Sequence, residues 1–436
     1  MSYRLFGAET SAYSTKMRSY LKYKAFAFDW VPRTAETEDE LKRLSRFGTL
    51  PVLVTSSGFA VHDTTPMMEA LEADSPEPSA TPADPALAFL ACVLEEYADV
   101  WLAKAAFHYR WTRKKDQRLA AQRSIEEYYP SGAPGERKAT EDLAIENMTG
   151  QLKTMQLDGE LGPVVEKSFK KFIKLLDDHL KKHLFIFGDR PSIGDFAIAG
   201  QLIQMMKDPT PAKIIEKDGE FVAKWCEFMS APTASGPFAA LDDLKETLAP
   251  LFADDLAAFF LPWAAENLEN SLAGAETFEV SLGKDKLTLA PLRFCASGCS
   301  SRSRQMAARW ASDSARAASS TSPASIAASR LGRAATTRSS IRAGFCAAEP
   351  TRPPNRNGMS RPIRPGSSGC SSSSTTLAPP LAAAKAAAMP ASPAPRKRSF
   401  CSASLEPVSL SAPITPASAT AAVPWMSSLK VQTLSW

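Results

Sequence analysis

The stretch "GTLPVLV", Gly48–Val54, decides how the first part of the chain is read. Proline cannot donate to a sheet ladder, so Pro51 belongs at the first residue of the buried strand that follows. Its bond to Leu50 is either a plain trans link or a cis bond that turns the backbone. In the cis case the N–H and C=O of Leu50 stay outside the ladder, free for the peptide group of a ligand.

Upstream, "YRLF" (Tyr3–Phe6) reads as a strand, "STKMRSYLKYKA" (Ser14–Ala25) as a helix, "FAFDWVPR" (Phe26–Arg33) as a strand and "TEDELKRLSRF" (Thr37–Phe47) as a helix. Downstream, "SSG" (Ser56–Gly58) reads as a two- or three-residue hairpin turn into the strand "GFAVH", and "TTPMMEALE" (Thr64–Glu72) starts a helix. The order β-α-β-α-β-β-α predicts a small α/β unit with one mixed sheet over residues 1–75. A Pro-rich linker at 76–84 follows. Residues 85–276 read as all-α. Apolar positions recur at three and four through Leu90, Val93, Leu94, Tyr97, Trp101, Ala105 and His108, and "SFKKFIKLLDDHLKKHLFIF" (Ser168–Phe187) and "SIGDFAIAGQLIQMM" (Ser192–Met206) read as two more helices. Period two around Gly283-Lys284-Asp285 predicts a β-hairpin at 277–292.

The charge divides with the chain. Residues 293–436 hold 18 Lys and Arg against 3 Asp and Glu, which leaves 33 against 44 in residues 1–292. The anionic body excludes a nucleic-acid binder, which needs a basic face. The tail is rich in Ser, Ala, Arg and Pro and lacks the apolar density to offset chain entropy, so disorder is expected there. A shifted reading frame of a GC-rich gene yields the same composition, and that origin stands beside a genuine low-complexity tail. The N-terminus shows no basic region followed by an apolar core, and no run of about 18 uncharged apolar residues occurs, so neither export nor a membrane partner is expected. Cys92 and Cys226 are the only cysteines before the tail, which fits a cytoplasmic, reducing setting without a disulfide framework.

Three polar sites stand out. In "GAETSAYSTKMRSYLKYK" (Gly7–Lys24), Ser11 and Ser14 lie three apart around Tyr13 at a helix start, and either hydroxyl is a helix cap or a reactive-loop donor. Lys16 and Arg18 read as exposed helix cations. In "VHDTTPMMEALE" (Val61–Glu72), Pro66 suits a first helical turn, so Asp63 or Thr64 caps it. The same acid, hydroxyl and helix N-terminus suit a zwitterion, with Thr64 and free N–H groups on its carboxylate and Asp63 on its ammonium. Ser192 and Asp195 form a capping box and read as structural. His179 and His183 share a helix face but have no third ligand, so no metal is expected.

Taken together, "SAYSTKMRSYL", "GTLPVLV", "HDTTPMMEALE" and "RPSIGDFAIAGQL" resemble the glutathione transferase superfamily over about residues 3–250, and "EEYADVWLAKAAFHYRW" with "FFLPW" resembles a bacterial-type branch. The resemblance implies a thioredoxin-like N-terminal domain, an all-α C-terminal domain, glutathione as cosubstrate and a homodimer. It implies that Leu50 beside Pro51 pairs with the cysteinyl part, that Asp63 and Thr64 hold the γ-glutamyl end, and that Thr49 approaches the glycyl carboxylate. Ser11 stands at the catalytic position. Tyr13, His108 and Trp111 either line the pocket of a small, apolar, electrophilic substrate or pack in the core. Ala12 departs from the family's usual proline and Leu50 from its valine. No cysteine stands at Ser11 or Ser14, against chemistry that needs a protein thiolate.

The expected step is activation of the glutathione thiol for attack on that electrophile. A free thiol of pKa ~8.5 is only about 3% thiolate at pH 7, and lowering it by ~2 units costs ~2.7 kcal/mol of selective anion stabilisation. A Ser11 O–H and the positive end of its helix are the groups at hand. The alternatives are a non-catalytic glutathione-binding or scaffold protein and a glutathione-dependent reductase or isomerase.

Overall fold

Burial on both faces of the sheet builds the first layer. In β1 (Tyr3–Gly7), Leu5 and Phe6 are both buried but on opposite faces of one sheet, as the two-residue strand period requires. The computed structural model describes residues 2–45, 48–132, 134–233 and 236–292, so the tail expected to be disordered, 293–436, lies outside the described residues. After β1 come α1 (Ala12–Tyr23), β2 (Phe28–Pro32), α2 (Glu38–Leu44), β3 (Val52–Val54), β4 (Ala60–His62) and α3 (Thr64–Asp74). The sheet order is β2-β1-β3-β4, with β1 and β2 parallel and the other pairs antiparallel. Leu5 and Leu53 pack with Met17, Leu21, Met67 and Leu71 of α1 and α3. Phe6, Val52 and Val54 pack on the other face with Leu41 of α2. The register pairs Phe6 with Val52 and Val52 with His62, so Leu50 stands just outside the ladder, and the Leu50–Pro51 bond is cis.

The helical half runs through α4 (Pro85–Glu96), a π-helical stretch at Tyr97–Leu102, α5 (Ala103–Thr112), α6 (Lys114–Tyr128), α7 (Pro134–Thr154), α8 (Leu161–Leu180), α9 (Ile193–Met205), α10 (Pro209–Asp218) and α11 (Glu220–Met229). Then α12 (Leu241–Pro250) continues through a second π-helical stretch, Leu251–Phe260, into α13 (Leu261–Ala273), and β5 (Phe278–Leu282) pairs with β6 (Asp285–Leu289) as a hairpin. Phe278, Val280, Leu282, Leu287 and Leu289 are all buried. The two π-helical stretches are tied together by a buried chain. Tyr97 donates to Asp255 at 2.9 Å, Ser168 of α8 donates to the other Asp255 oxygen at 2.8 Å, and Trp101 donates to Ser168 at 2.9 Å. Burial pushes the Asp255 carboxyl up to about 7. The run Leu241–Ala273 is long and apolar enough to cross a membrane, yet half of its most apolar window is buried within the protein. The whole is a thioredoxin-like α/β layer followed by a helical domain.

At α9 the capping box is complete. Ser192 N–H donates to Asp195 at 2.9 Å, the Asp195 N–H points back to Ser192, and Ile186 N–H donates to the second Asp195 oxygen at 2.9 Å. Burial raises that carboxyl to about 6. His179 is also enclosed, with Thr247 and the Ile186 carbonyl on its two ring nitrogens.

The β3–β4 turn is the three residues Ser56–Gly58, closed by the Thr55 N–H on the Phe59 carbonyl at 2.9 Å and by the Phe59 N–H on the Thr55 hydroxyl at 3.2 Å. Two expectations change. The helix expected over Ser168–Phe187 stops at Leu180. Phe185, Ile186 and Phe187 are all fully buried, which a turn closed by Phe185 and Gly188 achieves and a one-faced helix would not. Lys16 is no exposed helix cation: it is 1% exposed, enclosed between the two halves.

Candidate functional site

The three polar segments singled out in the sequence open on one cavity of about 420 Å³. Ser11, Thr49, Leu50, Pro51, Asp63 and Thr64 line it from the α/β side, and Tyr13, Val100, Phe107, Trp111 and Met148 contribute its larger apolar surface.

Ser11 is the N-cap of α1. Its Oγ accepts the Ser14 N–H at 3.2 Å, and no acceptor for its own O–H is found among the described residues. A hydroxyl that accepts from a helix N–H is polarised toward donating onward, and no acidic residue stands in the first turn to cancel the helix field. Ser14 has a different task. It is fully buried and its Oγ accepts the Ala8 N–H at 3.2 Å, closing the loop before the helix. The two hydroxyls are thereby separated, with one facing the cavity and one bracing the loop.

The loop is also held from the helical half. Gln204 and Lys207 both donate to the Glu9 carbonyl at 2.9 Å, Arg110 reaches the Thr10 carbonyl at 3.4 Å, and the Glu127 carboxylate accepts the Glu9 N–H at 2.6 Å. Arg110 is fixed in turn by Asp208 at 2.6 Å.

At the opposite end, Asp63 caps α3 with φ 71°, a conformation that side-chain-bearing residues rarely adopt, and accepts the Thr65 N–H at 3.3 Å. Thr64 is 2% exposed and its hydroxyl has no partner among the described residues. A buried hydroxyl without a partner costs about 1–3 kcal/mol unless something fills its hydrogen-bonding capacity. Behind it, Lys16 bonds Glu95 at 2.8 Å and Asp99 at 2.7 Å, and Thr65 donates to Glu95 at 3.0 Å. Burial works to lower the Lys16 pKa, but Asp99 and Glu95 together raise it. Burial pushes Asp99 up to about 7 despite Lys16. Tyr13 donates to the Asp99 carbonyl at 2.8 Å, which fixes its ring on the cavity wall.

His108 does not join this site, a correction to its place among the expected pocket residues. Its Nδ1 meets the Leu157 carbonyl at 3.2 Å and its Nε2 meets Glu166 at 2.8 Å. It shares the helix face of Trp101 and Ala105, which packs into the core, whereas Trp111 lies on the face with Val100 and Phe107 that fronts the cavity. Sequence reasoning missed Lys16, Glu95, Glu96, Asp99, Arg110 and Glu127. The spacing of Glu95 and Asp99, four apart in an otherwise apolar helix, was the available signal. Cys92 and Cys226 are both buried, and desolvation raises the Cys226 thiol pKa.

Comparison with known proteins follows this division. Residues 5–79 match the glutathione S-transferase N-terminal domain family, and residues 136–228 match the glutathione S-transferase C-terminal domain family. No curated protein matches the chain. Among solved structures, a glutathione S-transferase from Methylobacterium radiotolerans in complex with glutathione sulfonate is 20% identical, with 55% of this chain and 97% of that chain covered and a TM-score of 0.35. The β-etherase LigF from Sphingobium sp. strain SYK-6 is 16% identical over 58% of this chain and 100% of its own, with a TM-score of 0.39. A Tau class glutathione S-transferase from mango, Mangifera indica, is 18% identical over 57% and 98%, with a TM-score of 0.34.

Proposed function

From the premise that the chain belongs to the glutathione transferase superfamily, we propose that it binds glutathione in this cavity, ionises its thiol and adds the sulfur to an apolar electrophile. The observation that carries the reading is the meeting of three sequence-distant groups in one cavity: the Ser11 O–H, the off-ladder Leu50 backbone and the unpartnered Thr64 hydroxyl. Their order gives the ligand a direction. Thr64 and Asp63 take the γ-glutamyl end, Leu50 the cysteinyl peptide group beside Pro51, and Thr49 the glycyl end. The thiol then lies toward Ser11, which donates a hydrogen bond to the thiolate and is not itself the nucleophile. The thiol proton leaves to solvent, the thiolate forms a carbon–sulfur bond, and the displaced electron pair departs with the leaving group or, in an addition, stays on the electrophile, which takes a proton from water. Tyr13, Phe107, Trp111 and Met148 supply the apolar wall against which the electrophile packs.

The burial of Cys92 and Cys226 supports chemistry on the ligand's sulfur over exchange through a protein thiol. The reading extends to a homodimer in a reducing, cytoplasmic setting, which sedimentation and fractionation measure. The test is conjugation of several electrophiles by the wild type and Ser11→Ala. A hydrogen bond to a charged group contributes about 1.5–3 kcal/mol, so kcat/KM is expected to fall about 10- to 150-fold. Glutathione binding without conjugation above background in the wild type would favour a non-catalytic binding protein. Turnover confined to mixed disulfides would favour a reductase.

A further inference from the structure

Ser11 is held by more than its own helix. Thr15, one turn into α1, donates its hydroxyl proton to the Ser11 carbonyl at 3.0 Å. The same hydroxyl oxygen accepts from the side-chain amide of Gln204, Nε2, at 2.9 Å. That amide also donates to the Glu9 carbonyl at 2.9 Å. One NH2 group on α9 therefore ties down the backbone on both sides of the N-cap. Lys207 shares the Glu9 carbonyl, but Gln204 reaches both ends. Gly200, one turn earlier on α9, permits the approach, because a side chain there would strike the Ala12 carbonyl. Arg110 closes the frame with bonds to the Thr10 carbonyl at 3.4 Å and the Gln204 carbonyl at 3.3 Å.

The amide has one workable orientation. The Glu9 carbonyl can only accept, and the Thr15 proton is engaged by Ser11. The NH2 must face both, which turns Oε1 away. Oε1 is buried and has no partner among the described residues, on a side chain that is itself enclosed. A buried carbonyl oxygen left unpaired works against stability. An apolar side chain of similar size would fill the position without that cost, so the glutamine is explained by what its NH2 holds. The lining residue of α9 is Gln201, not Gln204, so any effect of Gln204 on the chemistry passes through the segment it ties down. The direction of the Ser11 hydroxyl follows from where its backbone stands, and a displacement of about 1 Å is enough to lose a productive hydrogen bond.

We propose that Gln204 is a positioning residue for Ser11: through the Glu9 carbonyl and the Thr15 hydroxyl, the helical half holds the Ser11 O–H where it meets the glutathione sulfur. This rests on the glutathione reading and deepens it, since activation of the thiol then depends on a residue of the helical half outside the cavity lining.

The experiment compares the full-length wild type with Gln204→Leu and Thr15→Val, by absorbance titration of the bound glutathione thiol and by calorimetry with S-hexylglutathione, which has no thiol to ionise. Gln204→Leu is expected to raise the bound-thiol pKa by about one unit, from ~7 to ~8. That change cuts the thiolate fraction at pH ~6.5 about eightfold and leaves it nearly complete at pH ~9.5. With any electrophile that the wild type conjugates, kcat is therefore expected to fall by that factor at the lower pH and to recover at the higher. Affinity for S-hexylglutathione is expected to stay within about twofold, because the binding groups are untouched. Thr15→Val breaks only the Ser11 side of the bridge and is expected to raise the pKa by about half as much, which keeps the question decidable if Gln204→Leu fails to fold. In a Ser11→Ala background, Gln204→Leu is expected to add nothing. A thiol pKa unchanged in Gln204→Leu and Thr15→Val, or raised equally with and without Ser11, would overturn the proposal while leaving glutathione binding intact. A wild type that binds no glutathione is a different result and removes the glutathione reading, and this proposal with it.

Discussion

At the scale of single residues, the site is built from groups with capacity to spare. Thr64 buries a hydroxyl that nothing in the described residues satisfies, and Ser11 accepts one bond while keeping its own proton to give. The Thr64 hydroxyl therefore works against stability in the free protein, and the proposed glutathione site turns that capacity to affinity. Thr64→Val is expected to leave the thermal midpoint unchanged or higher and to weaken glutathione binding about tenfold, read by calorimetry beside thermal unfolding. A drop in stability with unchanged affinity would make Thr64 a packing residue only. Much of this was legible because it is local. Pro51 before an apolar run, and Asp63 and Thr64 ahead of Pro66, announce a turned strand start and a helix N-terminus within a few residues. Whether Ser11 or Ser14 faces the cavity was not legible. That choice is made by the Ala8 N–H, which engages Ser14 only once the loop has folded back. His108 was left between pocket and core, and its place on the stripe of Tyr97, Trp101 and Ala105 agrees with the core, where it is buried.

At the scale of elements, a decisive contact is the ion-pair cluster that ties α1 to α4 and the π-helical stretch after it. Lys16 is fully enclosed and carries the charge that Glu95 and Asp99 require. A buried pair whose partner is removed leaves an uncompensated charge, at a cost of about 3–5 kcal/mol. Lys16→Met is expected to lower stability by that order at pH 7.5, measured by urea denaturation. The deficit is expected to shrink toward pH 5. Asp99 already has a raised pKa, and without Lys16 that pKa rises further, so acid neutralises the carboxyl and removes the penalty. A deficit that grows on acidification would contradict this arrangement. Element types were readable from periodicity, because α4, α5, α8 and α9 each carry long apolar stripes. The π-helical stretches at Tyr97–Leu102 and Leu251–Phe260 were not. They are fixed by the Tyr97–Asp255–Ser168–Trp101 chain, which joins residues more than 60 positions apart.

At the scale of the molecule, the two halves are pressed together at the start of α1. Gly200 on α9 lies so close that an added Cβ would sit 2.7 Å from the Ala12 carbonyl and 3.0 Å from the Lys16 Cβ. That approach holds the N-terminus of α1 against the helical half, while Gln204, Lys207, Arg110 and Glu127 hold the loop before it. The order of elements from Tyr3 to Asp74 could be read in sequence, because each carries its own period. The clamp could not, since its parts come from α5, α6, α9 and the residues after it. The consequence of the assembly is a Ser11 hydroxyl held at one end of a cavity whose other end carries the Thr64 hydroxyl and the N-terminus of α3. The most direct measurement is the pKa of the bound glutathione thiol, followed by thiolate absorbance in the wild type and in Ser11→Ala. A wild-type value below ~7, returning toward the free-thiol value of ~8.5 in Ser11→Ala, is the expected result. A bound thiol that titrates near ~8.5 in both proteins would contradict the role given to Ser11.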